Sequence, residues 1–439
     1  MSGLRAHNAE LTRLGLTMPG FVERNKTIAS LPSLGLLTLA GMTPDDVELG
    51  YFEVDHLADF DGLPDDYDTV AISSFSAQMK DAYVLADQFR AAGVRVILGG
   101  LHVTARPDEA LAHADSIIIG EGEPSWPQLI GDLKRDDLQR IYDSRATPFN
   151  LADAPMPRYD LLDPEKYNRL TVQTQRGCPF DCEFCAASIR LSPLFRVKPV
   201  DKVIAEIQRI KEIWPNPFIE LADDNTFANK KHAKRLVRAL IPEDIKWFTE
   251  TDISVARDPE LLAMMRDSGC AQVLIGLESP TQAGVSGVEQ KSNWKAKQFD
   301  SYYSAIDRIQ SYGITVNGCF VMGLDGTGPE SFQQVLDFVR ESGLFEVQVT
   351  IQTAFPATPL YDRLKKSGRI IDETAWELCT LFDVNFHPDG MTAKELEDNF
   401  LWLVQELYSA EATKARKSSF FHMRRETRIE TRAQIGDKR

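Results

Sequence analysis

Cys178, Cys182 and Cys185 stand in the run RGCPFDCEFCAAS, with three and then two residues between them. Thiolate is the ligand that iron–sulfur clusters need, and three thiolates hold three corners of a [4Fe–4S] cube while leaving the fourth iron open. An open iron can bind a substrate or cofactor directly, as an open zinc position binds water. A structural zinc site would want a fourth Cys or His close by, and the nearest histidines in sequence are His113 and His232. A two-cluster ferredoxin would want a second cysteine run, whereas Cys270, Cys319 and Cys379 are isolated. Buried free thiols account for those three and account badly for the clustered three.

The flanking sequence must position these thiols. TVQTQ (171–175) reads as a strand running into the cysteine loop, followed by a helix over 199–213 with Val203, Ile204, Ile207, Ile210 and Ile213 at helical spacing. FIELAD, KWFTET, QVLIGLE, ITVNGCFVMG and EVQVTIQTA read as five more strands, separated by helical stretches. One of these, DPELLAMMRDSG, opens on Asp258 as N-cap with Pro259 at the first helical position and closes on Gly269. Six strands alternating with helices predict a partial (β/α)6 barrel of the TIM type, with chemistry at the C-terminal strand ends. Those ends carry Asp223 and Asp224, Glu250 and Asp252, and Glu278 and Ser279. An aspartate there serves equally as a turn or helix cap.

Residues 1–150 show five short apolar runs, RLGLTMP, VELGYFEVD, DTVAISS, VRVILGG and DSIIIG, with a helix over MKDAYVLADQFRAAG. They predict a Rossmann-like doubly wound α/β sheet, whose ligands bind beyond the carboxyl ends of the strands. These ends are Pro19–Phe21, Ser73–Gln78, Gly99–His102 and Gly120–Glu123. Gly99 and Gly100, lacking Cβ atoms, admit a large flat cofactor or simply serve a tight turn. The segment 132–163, charged and then punctuated by proline, reads as a connection. The expected organisation is a Rossmann-like domain (1–135), a linker (136–165), the barrel (166–370) and a small helical C-terminal region with a basic tail (371–439).

Several separated runs together resemble the radical S-adenosylmethionine (SAM) superfamily, and within it the members with an N-terminal cobalamin-binding-type domain. The runs are CPFDCEFC, ELADDNTFANKK, IGLESP and FPATPLYDRLKKSGRI, with GGLHVTARPDEAL and GEGEP in the N-terminal half, so the resemblance spans roughly residues 30–370. It implies that SAM chelates the open iron and is cleaved reductively to a 5′-deoxyadenosyl radical. Phe184 matches the position that packs near the adenine, though it could equally be core. Asp223 or Asp224 would hold the SAM amino group, and Glu250, Asp252, Glu278 and Ser279 would meet the ribose or methionyl part. Ser73, Ser74, Gly99, Gly100, Glu121 and Gly122 are the corresponding cobalamin candidates.

The D-x-H-x-x-G motif that gives cobalt a histidine in many corrinoid proteins is absent, as it commonly is in these relatives. His102, in GGLHVT, reads as a hydrogen-bonding or packing residue instead. The implied activity is cobalamin-dependent methyl transfer to an unreactive carbon in a lipid, tetrapyrrole or secondary-metabolite pathway. The alternative is hydroxylation, cyclisation or rearrangement without cobalamin, and a third reading is an electron-transfer or sensing protein. An external one-electron donor such as flavodoxin or ferredoxin is implied beside a small-molecule substrate.

The formal charge of −16 argues against a nucleic-acid partner, which wants excess Lys and Arg. Residues 414–439 depart from that balance, with nine Lys/Arg against three Asp/Glu; the end of the chain reads as a solvated helix, or as a contact for an acidic partner, a membrane surface or an anionic substrate. No run is apolar and long enough to span a bilayer, and no signal-peptide pattern opens the sequence. Six cysteines and an oxygen-sensitive cluster point to a reducing cytoplasm.

Overall fold

The computed structural model describes residues 6–14, 31–55, 57, 64, 66–187 and 194–436. Two helices, α1 (Ala9–Arg13) and α2 (Leu34–Met42), precede a first sheet. Its strands are β1 (Thr69–Ser73), β2 (Arg95–Gly99), β3 (Ser116–Ile119) and β4 (Ile141–Asp143), all parallel and lying in that order. Between them run α3 (Met79–Ala91), α4 (Leu101–Ala105), α5 (Pro107–His113) and α6 (Trp126–Lys134). Period-two alternation sends Val96, Leu98, Ile117 and Ile119 to one face, against Ala82, Ala86 and Phe89 of α3, Val103 of α4 and Ala110 of α5. Ile97 and Ile118 point to the other face, against Trp126, Leu129 and Ile130 of α6 and Leu39 and Met42 of α2. Helices therefore cover both faces, as an α/β sheet of parallel strands requires.

Two strand expectations change. VELGYFEVD (47–55) forms no strand among the described residues, and the fourth strand, β4, comes from the stretch read as a connection. Only Tyr142 of β4 is buried, so its pattern is too short to show alternation. The RLGLTMP strand and its end at Pro19–Phe21 lie largely outside the described residues.

The second sheet comprises β5 (Leu170–Val172), β8 (Phe218–Leu221), β9 (Lys246–Thr251), β10 (Cys270–Glu278), β11 (Thr315–Met322) and β12 (Glu346–Ile351). They run parallel in the order β12-β11-β10-β9-β8-β5, the six strands expected. A two-stranded antiparallel ribbon, β6 (Gln175–Arg176) and β7 (Arg196–Val197), closes the cysteine loop. Outside the sheet lie α7 (Val200–Ile213), α8 (Lys230–Leu240), α9 (Pro259–Asp267), the short α10 (Gln282–Val285), α11 (Tyr302–Ser311) and α12 (Glu330–Glu341). The outward rows of the strands, such as Val273, Ile275 and Leu277 of β10, merge with Val203, Ile207 and Ile210 of α7 into one core. The Asp258 side chain caps α9 at the Leu261 N–H (3.0 Å), with Pro259 following.

The chain ends in α13 (Pro359–Lys366), α14 (Ala393–Tyr408) and α15 (Ala410–Gly436). Trp376, Phe382, Phe386 and Phe400 are buried. Thr392 opens α14 with a capping box to Glu395. This helix lies along α12 and β12, on the flank of the barrel. Its last residue reaches the open edge of β12, where the Tyr408 hydroxyl donates to Val347 O (3.1 Å) and accepts from Val349 N–H (3.3 Å).

Candidate functional site

The cysteine loop is tied down from four directions. At its neck Arg176 and Arg196 face each other in the β6/β7 ribbon. Next to the first cysteine, Gly177 (φ +84°) donates its N–H to Asp224 (3.1 Å). In the middle, Cys182 and Glu289 form an isolated bridge, with Glu183 N–H on Val288 O and Gln290 N–H on Asp181 O, each 3.0 Å. Phe180 stacks on Trp294 at 4.6 Å between centroids. On the fourth side the Glu183 carboxylate pairs with Arg363 of α13 (2.7 Å).

Glu289 organises the segment after β10 that receives the loop. Burial would raise its carboxyl, but the Ser292 hydroxyl and the N–H groups of Trp294, Ser292 and Lys291 outweigh this and hold it near 2. The three thiols are half-buried and close enough to feel one another electrostatically. Burial raises Cys178 to about 11 and Cys182 to about 12, so in the metal-free loop both are protonated. Phe184 is partly buried against the barrel core.

At the end of β8 the two aspartates differ. Asp223 is 5% exposed and accepts from Thr174 N–H (2.7 Å) and hydroxyl (2.5 Å), Gln175 N–H (2.9 Å) and the Thr226 hydroxyl (2.8 Å). It stitches β8 to the strand entering the cysteine loop. Its neighbour Asp224 is half-buried and close enough to Cys178 to oppose that thiol's ionisation. Asp252 caps the turn after β9, accepting from Ser254 N–H (2.8 Å) and from Asn225 (2.8 Å).

Glu278, at the end of β10, has φ +64°, in the left-handed region that costs a side-chain-bearing residue about 1 kcal/mol or more. Its carboxylate pairs with Lys295, which also donates to Gly276 O (3.0 Å). A Cβ on Gly276 would collide with that carboxylate, so the glycine makes room for the pair. Lys295 lies beside Cys182 and its ammonium is held charged; burial opposes this, and the paired Glu278 carboxylate overcomes it. Sequence reasoning misses Lys295 because no motif marks it. Ser279 is buried in a local turn with Thr281 (3.1 Å).

Glu250 points into the barrel. Burial first, and then the nearby carboxylates of Glu220 and Asp224, push its carboxyl up to about 8. Among the described residues no hydrogen bond or ion pair satisfies it, while Glu220 is held by Arg169. In the cofactor-free protein the folded state therefore keeps a proton that the unfolded state has lost between roughly pH 4.5 and 8. Stability from this group is complete at the acid end of that window and falls as pH rises through it. Glu250→Gln is expected to flatten the fall, read as urea midpoints at pH 5.5 and 8.5. Parallel pH dependences in the two proteins would contradict the assignment.

A cavity of about 240 Å³ lies where the C-terminal edge of the first sheet faces the barrel. Ser73, Gly99, Gly100, Glu121 and Gly122 all line it, as do Gln173, Arg176 and Lys198 from the barrel side. Leu39, Ile97, Ile118 and Trp126 supply its apolar wall. Gly100 has φ +106°, and a Cβ there would stand 3.0 Å from the Ser73 hydroxyl; a Cβ on Gly120 (φ +86°) would stand 2.8 Å from that of Ser144. Ser74 is not part of the lining, and its hydroxyl donates to Phe75 O at the surface (3.2 Å).

His102 is also absent from the wall. It is buried with Nδ1 3.1 Å from the Ser76 hydroxyl and its ring edge-on to Trp376 at 5.2 Å. Glu121 lines the cavity with its carboxylate already engaged by Arg176 (2.9 Å), Arg196 (3.0 Å) and Phe149 N–H (2.6 Å).

Comparison with known proteins bears on both halves. Residues 172–339 match the family model of the radical SAM superfamily, and residues 28–130 match that of the B12 binding domain. This chain is a radical SAM protein with an N-terminal B12-binding domain. Residues 358–438 of the radical SAM protein match a domain of unknown function, DUF4070. It is 28% identical over 373 residues to a bacteriochlorophyllide d C-12(1)-methyltransferase of Chlorobaculum tepidum, covering 82% of this chain and 80% of that one. It is 26% identical to a hopanoid C-2 methylase of Rhodopseudomonas palustris, covering 79% and 66%.

Among solved structures, the fold is similar to that of the cobalamin-dependent radical enzyme OxsB (TM-score 0.62, 14% identity), covering 81% of this chain and 64% of that one. It is also similar to the methyltransferase TsrM from Kitasatospora setae (TM-score 0.59, 13% identity), covering 81% and 80%.

The cofactors of the radical SAM protein are a [4Fe–4S] cluster, SAM and cobalamin. Its residues fit them. Among the described residues, no three His, Cys, Asp or Glu side chains converge on one metal ion. A cube needs no such convergence, since each thiolate binds a separate iron. The three free, half-buried thiols are the soft donors that such irons take as thiolates. The glycine-floored cavity gives a flat macrocycle backbone to lie against. Among the described residues no helix is long and apolar enough to cross a membrane.

Proposed function

We propose that this protein is a cobalamin-dependent radical SAM methylase that adds a methyl group to an unreactive carbon of a tetrapyrrole or lipid-like small molecule. The observation that carries this reading is the shared wall between its two halves. Arg176 lines the cavity at the first sheet and stands two residues before Cys178. A methyl carrier in the cavity and a radical source at the loop would therefore sit side by side. The names of the relatives from Chlorobaculum and Rhodopseudomonas support the same chemistry and the same two substrate classes.

Cys178, Cys182 and Cys185 would hold three irons, leaving the fourth to the amino and carboxylate groups of SAM. Bound cluster and SAM supply the deoxyadenosyl radical, and cobalamin supplies the methyl group. The chain's own side chains do the rest. Asp224 places negative charge beside Cys178, where a SAM ammonium would be received. Lys295 neutralises Glu278 beside Cys182, so that carboxylate adds no net negative charge next to the ligating sulfur. Glu250 keeps its proton at neutral pH and presents a neutral acid to the barrel interior. Phe184 offers an apolar surface for a base. The electron would come from an external carrier of the flavodoxin or ferredoxin class.

The test is anaerobic. The reconstituted protein is given SAM, a low-potential reductant and cobalamin, and 5′-deoxyadenosine and S-adenosylhomocysteine are quantified by mass spectrometry. Both products are expected, the second only with cobalamin present. Deoxyadenosine alone would overturn methyl transfer and leave oxidation or rearrangement.

A further inference from the structure

The two arginines at the neck of the cysteine loop reach into the other domain. They are register partners, one on β6 and one on β7, and between them runs all of the chain that carries Cys178, Cys182 and Cys185. Both engage Glu121, which follows β3 of the B12-binding domain. Arg176 also pairs with Glu123 (2.7 Å) and donates to Gln173 at the end of β5 (3.0 and 3.2 Å). Arg196 also donates to Phe149 O (2.5 Å), and Phe149 returns its N–H to Glu121 (2.6 Å). These are not surface pairs: the Glu121 and Glu123 side chains are 2% and 8% exposed, and the arginines 13% and 16%.

Exposed ion pairs hold almost nothing in place, whereas a buried, multiply hydrogen-bonded fork fixes distance and direction. Lys198, two residues after Arg196, shows the contrast. It lines the same cavity, but its ammonium pairs within the barrel to Glu206 (2.7 Å).

We propose that Glu121, Arg176 and Arg196 form a clamp whose task is to fix the separation between the cobalamin cavity and the iron–sulfur loop. Glu121 is in this assignment a positioning residue and not a cobalamin contact. The chemistry asks for such a part. A methyl carrier and a radical source act on one carbon in turn, and an error of 1 Å in placing reacting groups costs up to about a hundredfold in rate. The inference rests on the proposed cofactor arrangement, so its experiment reads cofactor content before it reads distance.

The full-length protein is loaded with cluster and cobalamin, reduced to the paramagnetic cluster and Co(II), and the distance between the two spins is measured by pulsed dipolar EPR. Glu121→Gln keeps the shape of the side chain and removes its charge. The expected result is iron and corrin content near those of the parent, a distance distribution clearly broader than the parent's, and a single-turnover rate of methyl transfer from SAM to reduced cobalamin, read as S-adenosylhomocysteine, down about tenfold while the SAM concentration at half-maximal rate changes far less.

An unchanged distribution at full loading would overturn the clamp. If Glu121→Gln fails to fold, Arg196→Lys replaces it, because a single ammonium cannot reproduce the fork and is expected to broaden the distribution in the same way. Arg169→Gln breaks a comparably buried pair with Glu220 wholly inside the barrel. It is expected to lower stability and leave the distance alone; equal broadening there would also overturn the proposal. A parent protein that holds no corrin at full iron content would instead refute the proposed function.

Discussion

Cys182→Ala is expected to leave a folded protein with no SAM cleavage above background. Cys182 is the middle of the three thiols and is half-buried, so the change removes one small side chain without opening a large hole. The loop has other holds, the Glu289 turn, the Glu183–Arg363 pair and the Asp224 contact to Gly177, and none of them involves the Cys182 sulfur. Two thiolates cannot retain a cube whose fourth iron is already without a protein ligand. Iron and sulfide content should fall together with 5′-deoxyadenosine, while the circular dichroism spectrum and corrin binding stay near those of the parent. Full SAM cleavage in this variant would refute the cluster assignment. Unfolding would mean that the sulfur packs more than it ligates.

Asp223→Ala and Asp224→Asn are expected to fail in opposite ways. Asp223 satisfies four donors on Thr174, Gln175 and Thr226. Deleting it leaves the buried Thr174 and Gln175 donors without that acceptor, while Thr226 keeps the Thr249 hydroxyl, at a cost of about 3–5 kcal/mol. The urea midpoint of the cofactor-free protein should drop accordingly, and cluster incorporation should fall because the strand entering the cysteine loop is no longer held. Asp224→Asn keeps an acceptor for Gly177 N–H and should change stability by less than about 1 kcal/mol. Its effect should appear in SAM affinity, down about tenfold for the loss of one charge-assisted hydrogen bond. The reverse pattern, a stability loss at 224 and an affinity loss at 223, would exchange the roles of the two aspartates.

The sequence alone leaves those two aspartates undivided, and the reason is physical. Both stand at a strand end, where their residue type suits a turn, a cap or a ligand, and only the direction of each side chain decides. The six barrel strands are legible because their outward rows are buried in long apolar series, as in Val273, Ile275 and Leu277. Tyr51 and Phe52 look like part of a strand, yet their segment joins neither sheet among the described residues; Tyr142 belongs to a strand with too few neighbours to declare itself. Glu121 stands out for its place after β3, and that place is real. Its carboxylate, however, is consumed by two arginines 55 and 75 residues further along the chain, a pairing no local pattern announces. Lys295 escapes for the same reason: its partner Glu278 is 17 residues away across a loop.

Tyr408 covers the backbone of β12 with one hydroxyl, and it does so from a helix that contributes nothing to the cysteine loop. A half-closed barrel has a raw margin, and a raw margin of strand is a template on which further chains can add. A chain ending before residue 393 would keep its cysteines and the residues lining its cavity, and would lose that cover together with the buried Leu396, Phe400, Leu403 and Leu407 of α14. Self-association, visible as light scattering before any cofactor is lost, would be the first sign. The C-terminal helices thus act as the selvage of the sheet, the woven border that keeps it from unravelling into its neighbours.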